Sequence, residues 1–289
     1  LAAARELSLP GMDHLGGGFV GRSLMTLVGH TSNFGAIVPK LVSSAAHLGG
    51  WTRTMSESNG FSSAKVGTTF SEYVATSNWE MVLGINTLPY YTMDWVGCTD
   101  EQRKRYSEYA GRINYMTAGG THIAPVAVLY PIATAWAHFN PKEGNLNGGR
   151  QRAWADPGMD RLQCIYEDTA RSLLEAQIDF DFVDEDDIAG ASLENDALGH
   201  WIRIGAERFS AVALPGAEII GEAAARKLGE FAAVGGRVYA VGVLPERGRR
   251  EIETTAVRDI VSEWKLIAEP CETGEVVGSE IRRDVILGP

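Results

Sequence analysis

Glu57 is the residue around which chemistry can be organised in this chain. It closes an alternating stretch, Thr52-Arg-Thr-Met-Ser56-Glu57, and a small polar turn, Ser58-Asn59-Gly60, follows it. Alternation is the period of a strand. A carboxylate at the carboxyl end of a strand, ahead of a Gly turn, stands where (β/α) barrels carry their reactive groups. An ion pair with Arg53 fits the same spacing, and the spacing leaves both roles open. Further along, Trp79-Glu80-Met-Val-Leu-Gly84 reads as a helix end and a Gly turn. Ile85-Asn86-Thr-Leu-Pro89-Tyr90-Tyr91 then reads as a strand closing in aromatic rings. Tyr90, Tyr91 and Trp95, with Trp51, offer flat apolar faces on which sugar rings can stack. Asp13, His14 and Asn86 are polar partners suited to hydroxyls.

Other chemistries find no matching pattern. A GxGxxG opening a helix after a strand is absent; Ala213-Leu-Pro-Gly216-Ala-Glu lacks the second and third glycines that let a backbone approach a pyrophosphate. No Walker P-loop, HExxH or GxSxG elbow occurs. Cys98, Cys164 and Cys271 are far apart and form no CxxC pair, so they read as three independent thiols. Cys164 falls inside a helical pattern and the other two in loop-like stretches, so none suits a nucleophile on a strand-to-helix turn. The six histidines show no ligand spacing. The run Asp179 to Asp187 holds six acids; it reads either as oxygen ligands for a hard cation or as a strand end leading into an N-capped helix.

The elements that must position these residues follow from pattern. The chain has 289 residues, 26 Lys+Arg against 37 Asp+Glu and a net charge of −11. That balance, with no long basic cluster, argues against nucleic acid or an anionic membrane surface as partner. No apolar run is long enough to span a bilayer. The chain is rich in glycine, 33 in all, and the excess sits in clusters such as Gly49-Gly50 and Gly235-Gly236 that end elements, between which short apolar runs alternate with helical patterns, as in βαβ units. The first segment reads as a short strand around 11–15, helix 36–48, strand 52–57, helix 70–83 and strand 85–91. A helix at 106–125 leads into the second segment, with strands 126–130, 178–183, 211–214 and 238–243 and helices 158–177 and 217–234. We expect an α/β chain: residues 1–105 as the C-terminal part of a (β/α)8 TIM-type barrel, then 106–289 as a flavodoxin or class I amidotransferase-like parallel-sheet domain without catalytic function.

The order Pro10-Gly-Met-Asp13-His14-Leu, Ser43-Ser-Ala-Ala-His47-Leu-Gly-Gly, Met55-Ser-Glu57-Ser and Gly84-Ile-Asn86-Thr-Leu-Pro resembles the last barrel strands of large glycoside hydrolases. It is most similar to the α-L-rhamnosidase-type family 106 and its relatives. Tyr109-Ala-Gly-Arg112-Ile-Asn-Tyr115-Met and Val126-Ala-Val-Leu-Tyr130-Pro131 resemble the join between barrel and amidotransferase-like domain in those proteins. The resemblance implies that Glu57 is one of two catalytic carboxylates. It implies a carbohydrate substrate bound by Asp13, His14, Asn86, Tyr90, Tyr91 and Trp95. Family 106 is inverting and Ca²⁺-assisted, whereas the family 42 β-galactosidases use a Glu here as nucleophile with retention. No cofactor other than that Ca²⁺ is implied. A full barrel needs about 250 residues, so the chain reads as part of a larger enzyme whose partner carboxylate lies elsewhere. A retaining β-galactosidase-like hydrolase and a non-catalytic carbohydrate-binding module are the alternatives. Open strand edges lead us to expect self-association into a homo-oligomer.

Overall fold

The computed structural model of the protein describes residues 1–14, 35–58, 70–89, 99–139 and 156–281. The chain divides into two compact units; the described residues up to 122 belong to the first and those from 123 onward to the second. The boundary expected at 105/106 therefore moves. The helix read at 106–125 runs from Asp100 to Thr117 and lies inside the first unit. Its start is fixed by a reciprocal cap, in which Thr99 Oγ1 accepts from the Gln102 N–H and Gln102 Oε1 accepts from the Thr99 N–H.

The first unit is built on parallel strands. Helix α1 (Ala2–Arg5) precedes β1 (Gly11–His14). Helix α2 (Ile37–Leu48) crosses to β2 (Met55–Ser58), and helix α3 (Phe70–Val82) leads into an extended segment at 86–89. Strands β1 and β2 pair in parallel with Gly11 opposite Met55, Asp13 opposite Glu57 and His14 opposite Ser58. The 86–89 segment flanks the other edge of β2, with the Ser56 N–H donating to the Thr87 carbonyl at 3.0 Å and the Ser58 N–H to the Pro89 carbonyl at 3.2 Å. This strand–helix–strand order is that of barrel staves. Among the described residues the staves do not close into a barrel. Met12, Val42, Ile85 and Leu88 form the core between staves and α2. Helix α4 (Asp100–Thr117) packs its buried Tyr106 on Tyr73, and the Tyr106 hydroxyl meets Ser77 Oγ at 2.5 Å.

The second unit holds a parallel sheet of β3 (Val126–Leu129), β4 (Phe180–Val183), β8 (Ala211–Pro215), β9 (Arg237–Val241) and β10 (Lys265–Ile267), ordered β10-β9-β8-β3-β4. Counted along the chain within this sheet, that is the 2-1-3-4-5 order of flavodoxin-like folds. Strands β3, β4 and β8 are buried at every position. Apart from the buried Asp181 of β4 these are apolar runs, as in strands covered on both faces, and each fully buried Val, Leu or Phe contributes about 1.5–3 kcal/mol. Covering them are α5 (Ile132–His138), α6 (Pro157–Glu175), α7 (Glu185–Ala189), α8 (Glu222–Ala233), α9 (Thr254–Val261) and α10 (Thr273–Glu280). Ser172 docks α10 onto α6: its Oγ accepts from the Gly274 N–H at 2.8 Å and donates to the Cys271 carbonyl at 2.6 Å.

Two features depart from the sequence reading. An antiparallel meander, β5 (Ser192–Asp196), β6 (Gly199–Ile204) and β7 (Glu207–Phe209), occupies a stretch to which no strand was assigned. Helix α8 begins at 222 and not 217, because the preceding residues run beside the loop after β9. There the Ile220 N–H donates to the Arg247 carbonyl, and the Glu246 and Arg247 N–H groups donate to the Glu218 carbonyl.

Candidate functional site

The site expected from the sequence lies on β2 and its neighbours. Along β2 the burial alternates: Met55 and Glu57 are half-buried, whereas Ser56 and Ser58 are buried completely. The covered face of this strand is therefore lined by hydroxyls and the partly open face carries the carboxylate. On β1, Met12 lies in the core cluster. Period two then assigns Gly11 and Met55 to the partly open face. A Cβ built on Gly11 would come within 2.8 Å of Met55 Cε, the movable end of that side chain. The register sets the backbone of Asp13 directly across from Glu57, on strands about 4.8 Å apart.

Asn86, expected among the sugar-binding groups, is placed elsewhere. Its Oδ1 accepts from the Thr54 N–H at 3.0 Å and its Nδ2 donates to the Thr52 carbonyl at 2.8 Å. Thr54 precedes Glu57 by three residues, about 10 Å along an extended chain. The amide thus holds the entry of β2 against the next stave and does not face the rim beside Glu57. Gly84 makes the turn between α3 and that stave; its φ of +92° favours glycine, and a Cβ would lie 2.6 Å from Ser43 Cβ. Tyr90, Tyr91 and Trp95 lie outside the described residues.

Sequence reasoning missed Glu80. Its side chain is fully buried at the end of α3, with Ser56 Oγ donating to Oε1 at 2.6 Å and Ser58 Oγ donating to Oε2 at 2.8 Å. The available signal was the Ser-Glu-Ser alternation, which sets hydroxyls where a covered strand face ordinarily carries Val or Ile.

In the second unit the acidic run takes the capping alternative. Asp184 is the N-cap of α7; its Oδ1 accepts from the Asp187 N–H at 2.8 Å, and Asp187 Oδ2 accepts from the Asp184 N–H at 3.0 Å. Glu185 is buried, and its Oε2 accepts from the Gly221 N–H at 2.6 Å and meets Arg249 Nε at 3.0 Å. Burial pushes its carboxyl above the usual carboxylate range, against the pull of the Gly221 N–H and Arg249. Asp184 and Asp187 are thereby engaged in backbone capping, and Glu185 in a backbone bond and an ion pair.

Doubly wound sheets bind ligands outside the carboxyl ends of strands where the order reverses, here between β3 and β8. Side chains of α6 fill that end. Leu162 and Ile165 lie against Gly216, and Ile165 against Gly242, both glycines having positive φ. Tyr166 stacks on Phe182 and meets Tyr130 edge-on. Cys164 and Cys271 are exposed free thiols. Partial burial, followed by the carboxylates of Asp160, Asp168 and Glu167, pushes the Cys164 thiol up, away from thiolate chemistry.

No protein-family model and no curated protein matches the chain. Solved structures do. A rhamnosidase from Novosphingobium sp. PP1Y superposes on 98% of the chain with a TM-score of 0.60 and 17% identity, the chain spanning 27% of that enzyme's length. A GH42 exo-carrageenase from Bacteroides ovatus covers 84% of the chain with a TM-score of 0.50 and 7% identity, the chain spanning 31% of it. The chain thus has the mixed α/β fold, with parallel sheets, of parts of larger glycoside hydrolases.

Proposed function

We propose that the chain is part of a glycoside hydrolase of α-L-rhamnosidase-like type, with Glu57 as one of its two catalytic carboxylates. The observation that carries this reading is the placement of Glu57 on the partly open face of a barrel-type stave, one residue before the strand ends and in register with Asp13 on the neighbouring stave. The fold likeness across both units to a rhamnosidase supports it. Cleavage of a glycosidic bond takes one carboxyl group to protonate the leaving oxygen and a second to act as base or nucleophile. Glu57 supplies one of these. Asp13 and His14, at the end of the adjacent stave, orient the sugar hydroxyls, and Tyr90, Tyr91 and Trp95 form the apolar wall. Asn86 serves the site by holding the entry of the Glu57 strand.

The second unit has a structural role in this reading, as an amidotransferase-like domain without amidotransferase chemistry. Its sheet end is filled by Leu162, Ile165 and Tyr166, and Cys164 lies on a helix with its thiol pushed up.

Hydrolysis of a panel of aryl glycosides that includes α-L-rhamnoside and β-D-galactoside, by the natural gene product and its Glu57→Gln variant, tests the proposal. Glu57→Gln is expected to lower turnover by several orders of magnitude. Turnover unchanged by the substitution returns Glu57 to a structural role. Binding of sugars without hydrolysis of any of them points instead to a carbohydrate-binding module.

A further inference from the structure

We infer that Glu80 is a positioning residue for Glu57, acting through Ser56 and Ser58, an inference that rests on the reading of Glu57 as catalytic. A carboxylate with no exposure to water is costly unless its oxygens accept hydrogen bonds. Glu80 has 0% exposure, and each of its oxygens accepts from a different serine hydroxyl, at 2.6 and 2.8 Å. Two such bonds satisfy both oxygens of the buried group. The two donors are residues i and i+2 of one strand, on its covered face. The residue between them, on the opposite face, is Glu57.

One buried group therefore staples the pleat on either side of Glu57. A one-residue slip of β2 would turn Glu57 inward and both serines outward, and the staple opposes that slip in a strand of only four residues. The anchor is fixed in turn. The Glu80 carbonyl accepts from the Leu83 N–H at 3.1 Å and from the Ile85 N–H at 3.0 Å, the bonds that turn the chain from α3 into the next stave. Glu80 thus ties the stave bearing Glu57, through its side chain, to the stave beside it, through its backbone. An apolar residue at 80 would give burial without this rotational control. Misplacing a reacting group by about 1 Å can cost on the order of 100-fold in rate.

The test compares Glu80→Ala, Glu80→Gln, Ser56→Ala and Ser58→Ala in the 289-residue chain and in the natural gene product. Two readouts are taken. The first is the titration of the Glu57 carboxyl followed by ¹³C NMR, assigned by the signal missing from Glu57→Gln. The second is kcat and KM on the best aryl glycoside. Glu80→Ala is expected to shift and broaden the Glu57 titration and to lower kcat about 10- to 100-fold with KM within about threefold. Glu80→Gln, which still offers one acceptor oxygen, is expected to recover most of both. If Glu80→Ala does not fold, the two serine variants carry the comparison, each with a smaller effect in the same direction. An unchanged Glu57 titration in the folded variants overturns the inference even where Glu57→Gln abolishes hydrolysis. Conversely, hydrolysis that survives Glu57→Gln overturns the catalytic reading, and with it the inference, whatever the titration shows.

Discussion

Asn86 gives the sharpest test of how the Glu57 strand is held. Its Oδ1 accepts from the N–H of Thr54, a residue with 2% exposure, and its Nδ2 donates to the exposed carbonyl of Thr52. The two bonds differ in cost when lost. An orphaned buried donor costs about 1–3 kcal/mol, whereas an exposed carbonyl recovers a partner from water for about 0.5 kcal/mol or less. Asn86→Ala should therefore destabilise the local fold by roughly 1–3.5 kcal/mol. Since about 1.4 kcal/mol corresponds to a factor of ten, the neighbouring amides should exchange with solvent about 5- to 300-fold faster. The reporters are the Ser56 and Ser58 N–H groups, which donate to the Thr87 and Pro89 carbonyls and open when the 86–89 segment parts from β2. Asn86→Asp separates the two contributions: it keeps an acceptor for the Thr54 N–H and loses only the exposed donor, so its acceleration should be well below that of alanine. Native-state hydrogen exchange at neutral pH measures both. Less than fivefold acceleration in Asn86→Ala, or an aspartate as damaging as the alanine, refutes the assignment of the cost to the Thr54 bond.

Further expectations concern the second unit. Gly216 has a φ of +60°, and a Cβ there would lie 2.6 Å from Leu162 Cδ1; Gly216→Ala should cost about 1–2 kcal/mol in backbone conformation and about 1–3 more in overpacking. Urea unfolding of Gly216→Ala, of Leu162→Ala and of the double variant should show part of that cost relieved in the double variant, and strict additivity would count against the contact. The carboxyl of Glu185 is raised in the folded chain above its ordinary 4.5, with burial as the main cause. A raised carboxyl pKa stabilises the fold while both states are protonated and loses that contribution as pH climbs through the folded value, because the unfolded chain ionises first. The wild-type protein should therefore lose stability relative to Glu185→Gln as pH rises above about 4.5, seen as diverging urea midpoints between pH 4 and pH 8. Parallel midpoints across that range would exclude Glu185 as the source.

The second unit's parallel sheet was legible because burial on both faces leaves runs that are apolar apart from Asp181. Val126–Leu129, Phe180–Val183 and Ala211–Pro215 read as strands from their apolar composition, and Gly216 marks the end of the last. The meander was not legible for the opposite reason. Its exposed face is written in ion pairs, Arg203 with Glu194 and Arg208 with Asp196, and in Arg208 lying over the Trp201 ring. Its inward side is short, with Ile202, Ile204 and Phe209 as its buried apolar residues. The same logic explains the site. Glu57 was visible as a carboxylate at a strand end, a feature local in sequence. Glu80 was not, because its role depends on two serines more than twenty residues away that replace the apolar residues a covered strand face ordinarily carries. Asn86 was visible as a residue type but misplaced, since an amide that bonds backbone and an amide that bonds sugar look alike until the register is known. What the sequence lacked at each point was the identity of the partner across the fold.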